Sequence, residues 1–97
     1  MRDRRDELRD PTNDPITLSW TDPDDSPQSC VGTLQDVSKS GARVLLPRPV
    51  RIKTVVRLTI DGAQMQAAVM SCVRGPDGYM LGIEFDAESQ GVLKRLA

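Results

Sequence analysis

Histidine is absent from the 97-residue chain, and its aromatic residues are one Trp, one Tyr and one Phe. Without an imidazole there is no Cys-His or Ser-His pair for nucleophilic catalysis and no histidine ligand for zinc. The two cysteines, Cys30 and Cys72, lie far apart and form no CxxC spacing. They are read as small apolar residues of the interior, in preference to metal ligands or a disulfide. At 3% aromatic content the core has to be aliphatic, and stacking platforms for single-stranded nucleic acid are missing.

Charge of either sign is not in excess: 13 Lys and Arg stand against 14 Asp and Glu, a net charge of -1. Broad binding to DNA or RNA depends on many cations neutralising phosphates, so neither is expected as a partner. Long apolar runs are missing too. The chain passes from Met1 straight into charged residues, so no signal peptide or membrane insertion is expected, and the expected location is the cytoplasm. There is no GxxxxGK phosphate loop, no cysteine placed as a nucleophile and no isolated carboxylate pair. Enzymatic activity, a bound metal and a resident cofactor are therefore not expected.

What is present is arranged unevenly. Residues 1–10, "MRDRRDELRD", carry four Arg and four acids, and residues 11–30 add four Asp and no base. Nine bases against six acids remain for the rest, so a mildly basic body follows an acidic connection. Residues 1–15 hold two Pro and no apolar period and are read as a flexible arm outside the fold. At i,i+4 spacing Arg5 meets Arg9, Asp3 meets Glu7 and Asp6 meets Asp10, like-charge pairs that oppose a helix. A single domain is expected over 16–97, since a chain of this length supports one core.

From Ile16 onward short strands alternate with turns, the pattern of an all-β barrel or sandwich. "ITLSW" sets Ile16, Leu18 and Trp20 on one face, with Trp20 read as core. "CVGTLQDVS" and "GARVLLP" form two strands around a corner, and "VVRLTI" sets Val56, Leu58 and Ile60 inward. Asp61–Gly62 signals a hairpin into "AQMQAAVMSCVR". In "YMLGIEF", Tyr79, Leu81, Ile83 and Phe85 alternate with Met80, Gly82 and Glu84. "DAESQGVLKRLA" brings Val92, Leu93 and Leu96 to helical spacing. Six strands and a short C-terminal helix are the expected elements.

Two motifs remain. "RDELR" sets Arg5 and Arg9 four residues apart, and "DVSKSG" sets Asp36, Ser38 and Gly41 at a corner between strands. Together, in this order and before a terminal LGIEF strand, they resemble the PilZ domain, whose members pair an RxxxR segment with [D/N]xSxxG. The likeness covers nearly the whole chain, since "VMSCVRGPDGYMLGIEF" is similar to the last two strands of that family. It implies a six-stranded antiparallel β-barrel with a C-terminal helix. It also implies a non-catalytic receptor for cyclic di-GMP, a bacterial second messenger. By this likeness the ligand lies between Arg4, Arg5 and Arg9 of the arm and Asp36, Ser38 and Gly41 of the corner, and the arm orders over it to signal to a downstream protein.

The residue chemistry suits such a ligand. Arginine forks two N–H groups onto a guanine edge or a phosphate and stacks on a purine. A carboxylate at Asp36 accepts from guanine N–H groups, and Ser38 supplies a hydroxyl. Gly41 is expected to take a left-handed turn conformation and to admit the ligand close to the backbone. Arg43, Arg57 and Arg74 are read as outward strand positions, with Arg74 the one that could approach the site. The sequence departs from the family pattern where "DPTNDP" separates Arg9 from Ile16 and where Asp6 and Glu7 stand between the two arginines. Those acids motivate the alternative, a PilZ-like protein–protein adaptor of pilus or motility machinery that binds no nucleotide.

Overall fold

Two-residue periodicity runs through six segments of the chain, and each of them is a strand. The structure, a computed structural model, describes residues 10–60 and 62–96. Its elements are β1 (Asp10–Thr21), β2 (Pro27–Val37), β3 (Gly41–Leu46), β4 (Val55–Ile60), β5 (Ala63–Gly75), β6 (Gly78–Phe85) and the helix α1 (Ala87–Leu96). All strand pairs are antiparallel and close into a barrel of order β1-β2-β3-β6-β5-β4. Closure between β1 and β4 runs through Ser19 opposite Arg57 and removes the open edges that a flat sheet would expose.

The inward faces are those that alternation indicates. Ile16, Leu18 and Trp20 of β1, Val56, Leu58 and Ile60 of β4 and Leu81, Ile83 and Phe85 of β6 are all buried in one aliphatic core. Leu18, Val44, Val56 and Val69 are completely withdrawn from solvent, and each such side chain contributes about 1.5–3 kcal/mol. Between β3 and β4 the chain crosses the barrel, because β6 and β5 lie between those strands. Val50 of this crossover is buried in the core. Lys53 N–H and Thr54 C=O bond to Val69 and extend the ladder beyond β4.

β1 begins at Asp10, not at Ile16, so residues 10–15 belong to the barrel. Two prolines hide this strand from a sequence reading. They are tolerated because this stretch pairs with β2, while among the described residues β4 meets β1 at Ser19, beyond the two prolines. The register slips between Pro11 and Asp14. Thr12 spans the slip: its Oγ1 accepts from Asp14 N–H at 3.0 Å and donates to Leu34 C=O at 3.4 Å.

β4 and β5 meet at Gly62, whose φ of 80° is the left-handed conformation that a tight hairpin demands. Asp61 of that turn lies outside the described residues. The helix is capped by Asp86, whose Oδ1 accepts the Ser89 N–H at 2.8 Å. Ser89 Oγ in turn accepts the Gln66 N–H at 2.9 Å and ties the helix to β5. The side chains of Val92, Leu93 and Leu96 lie outside the described residues. Cys30 and Cys72 are unpaired and half-buried, packed against the core.

Candidate ligand-binding corner

Antiparallel pairing makes the corner from the sequence. Val37 sits opposite Ala42 and Asp36 opposite Arg43, which leaves Ser38 to Gly41 to turn the chain from β2 to β3. Ser38 holds the turn with both of its donors, the N–H at 2.8 Å and the hydroxyl at 3.3 Å, each on the carbonyl oxygen of Gly41. On the far side of the turn, Ser40 C=O accepts the Phe85 N–H at 2.9 Å. The corner is thereby anchored to a strand that carries the core.

Asp36 and Ser38 are 6% and 4% exposed, so the structure brings two polar side chains of the motif together in a buried position. Asp36 accepts on Oδ2 from Arg43 Nε at 2.8 Å and from Arg43 Nη2. A buried carboxylate requires such compensation. Hydrogen bonding to Asp36, and secondly Coulombic attraction to it, raise the Arg43 guanidinium above the usual arginine value, while burial opposes the shift. With its hydrogen donated to Gly41, the Ser38 hydroxyl oxygen keeps only acceptor capacity.

Gly41 is glycine for a different reason from the expected one. Positive φ occurs among the described residues at Asp25, Lys53, Gly62 and Gly78 and not at Gly41. An ideal Cβ at Gly41 would instead meet the Ile83 carbonyl oxygen at 2.2 Å. The space is taken by the neighbouring strand, so this glycine serves the β3–β6 approach and the expectation of a left-handed turn is corrected.

Arg4, Arg5 and Arg9 lie outside the described residues. Arg57 and Arg74 are exposed strand residues as expected. Arg74 does not approach the corner: it pairs with Tyr79, which pairs with Leu46 at the far end of β3 from Gly41. At the usual strand rise this separation is roughly 16 Å. Arg43, read from the sequence as an outward position, is exposed but engages Asp36. The signal for it was available, since an acid and a base placed symmetrically about a turn face one another across the hairpin.

A cleft of about 410 Å³ opens at the end of the barrel away from the corner, where Arg48 lies 5.4 Å over the buried Trp20 ring. Of the described motif residues, Asp36, Ser38 and Gly41, none lines it. Among the described residues no group of His, Cys, Asp and Glu could hold a metal ion, and no helix is long and apolar enough to cross a membrane.

A closed six-stranded antiparallel barrel with a polar corner after its second strand and a helix after its sixth defines a small class of domain. The chain matches the PilZ domain family over residues 3–97 and belongs to it. Among solved structures it is similar to YcgR of Escherichia coli in complex with c-di-GMP, at 18% identity and a TM-score of 0.68, covering 96% of this chain and 44% of that one. The PilZ domain of CeSA from a cellulose-synthesizing bacterium has 23% identity and a TM-score of 0.62, covering 92% of this chain and 93% of that one. A K. pneumonia MrkH–c-di-GMP complex has 12% identity and a TM-score of 0.66, covering 96% of this chain and 50% of that one. The chain thus spans half or less of the YcgR and MrkH chains it resembles. No curated protein matches it in sequence.

Proposed function

We propose that this PilZ domain is a non-catalytic receptor for cyclic di-GMP, held between Arg4, Arg5 and Arg9 of the N-terminal arm and the Asp36, Ser38 and Gly41 corner. The observation that carries this reading is the buried carboxylate of Asp36 beside the buried Ser38 at the β2–β3 corner. A turn needs no buried charge, and withdrawing one from water is costly. A guanine base offers N–H groups that such a carboxylate accepts, and the phosphates offer oxygens to the arginine forks. The likeness to solved PilZ proteins bound to c-di-GMP supports the same ligand.

In this reading the nucleotide draws the arm onto the corner and changes the surface offered to a downstream protein. The domain reports messenger concentration by shape, in the cytoplasm where such a messenger is made. The test is a calorimetric titration of cyclic di-GMP into the protein and into Arg9→Ala, with cyclic di-AMP as control. Saturable binding of the guanine ring, lost in the variant and not reproduced by the adenine ring, is the expected result. Absence of heat at any accessible concentration would overturn it and leave the protein–protein adaptor as the function.

A further inference from the structure

Arg43 stands one strand away from the motif and directly across from Asp36. We infer that Arg43 is part of the nucleotide site, one edge of its guanidinium fixing the Asp36 carboxylate and the other meeting a phosphate of the ligand. The inference rests on the receptor reading and adds to it a residue outside both motifs.

The geometry divides the guanidinium in two. Nε and Nη2 both donate to Asp36 Oδ2, at the inner side of the pair, where the carboxylate side chain is 9% exposed. Arg43 itself is 53% exposed, and its Nη1 makes no hydrogen bond among the described residues. A buried acid and an open base are unlike an ordinary surface ion pair, in which both partners are solvated and the gain is small. Here the strands hold both backbones opposite one another, so the acid has little freedom and the arginine presents its remaining N–H donors beside it. Gly82, opposite Arg43 on β6, carries no side chain of its own, and the small Ser71 hydroxyl of β5 stands over it.

Each half has a chemical consequence. The orientation of the Asp36 carboxylate decides how well it accepts from N1–H and the exocyclic amine of guanine, groups that adenine does not present together on that edge. The open edge of Arg43 supplies positive charge and paired donors to phosphate oxygen, which lysine matches in charge and not in geometry. Arg43 is therefore a positioning residue for base selectivity and a direct contact for the phosphate.

Cyclic di-GMP and cyclic di-AMP are titrated calorimetrically, at low and at high salt, into the unmodified protein, Arg43→Gln, Arg43→Lys and Arg57→Gln, with a melting curve for each. Arg57 is exposed on β4 and controls for the loss of one positive charge. For Arg43→Gln the expected result is cyclic di-GMP affinity lowered about ten- to a hundred-fold, a narrower preference for guanine and weaker salt dependence. In Arg43→Lys salt dependence returns while the preference stays narrowed, a split that a purely structural role would not produce. Arg57→Gln leaves all three unchanged. Affinity and preference in a folded Arg43→Gln equal to those of the unmodified protein would overturn the inference alone, as would equal losses in Arg57→Gln. If Arg43→Gln does not fold, unchanged affinity and preference in Arg43→Lys overturn it. No binding by the unmodified protein overturns the receptor reading and this inference with it.

Discussion

The carbonyl oxygen of Ile83 occupies the space where a Cβ on Gly41 would stand, 2.2 Å from its ideal position. This one relationship links the corner to the barrel, because Gly41 opens β3 and Ile83 carries its side chain into the core. The glycine of the DxSxxG motif thus serves strand approach first, and whatever the corner binds inherits that geometry.

Gly41→Ala is expected to force the β3 and β6 backbones apart, at a cost of about 1–3 kcal/mol. For a domain of this size that corresponds to a melting temperature lower by roughly 4–8 °C per kcal/mol. Gly62→Ala should cost less, since its Cβ would meet nothing and only the left-handed φ opposes it. Melting curves of the two variants check the order.

Arg5→Ala and Arg9→Ala are expected to weaken cyclic di-GMP binding by roughly 1–3 kcal/mol each, the scale of a good bidentate contact. The described core lies between Ile16 and Phe85, so the melting temperature of either variant should match that of the unmodified protein. Calorimetry paired with thermal melting separates the two effects.

Phe85 is the sole phenylalanine, and it is buried at the point where β6 bonds to the corner through Ser40. Phe85→Ala should cost about 3–5 kcal/mol through the cavity it leaves. Against the usual total of about 5–15 kcal/mol this is a large fraction, and urea unfolding should show an earlier midpoint.

Ser89→Ala removes the acceptor for the Gln66 N–H and with it one tie between the helix and β5, leaving the bond from Asp86 N–H to Gln66 C=O. An N–H left without its partner should cost about 1 kcal/mol or more. The amide of Gln66 should then exchange with deuterium faster than its neighbours on β5, which hydrogen-exchange NMR reads directly.

Asp86 caps the helix, and hydrogen bonds from the Ser89 side chain and backbone lower its carboxyl below the ordinary aspartate value. A depressed native value means that the ionised cap stabilises the fold at and above the unfolded value of about 3.9, and that this contribution is lost as pH falls through the native value. Asp86→Asn should therefore melt earlier than the unmodified protein near neutrality, and the gap should close as the medium is acidified below the ordinary aspartate range. A gap that stayed constant to low pH would contradict the charged cap.

Most of the barrel was legible because its signals are local. Val56, Leu58 and Ile60 alternate without interruption, and Leu81, Ile83 and Phe85 do the same beside a turn written "GPDG". The corner was legible as a turn for the same reason. β1 was legible only from Ile16, since Pro11 and Pro15 carry a loop signature that pairing with β2 overrides. Arg43 was legible as an outward strand residue, but its bond to Asp36 depends on the register between two strands.

From Ile16 onward the sequence by itself determined which segments are strands, which face of each is apolar and where the turns fall, because side-chain alternation and turn chemistry act over a few neighbouring residues. Only the tertiary structure decided that β1 closes on β4, that Gly41 is glycine because Ile83 is there, and that Arg43 holds Asp36. Those outcomes depend on which distant strands lie side by side and in what register, and register is set by the packing of the whole barrel.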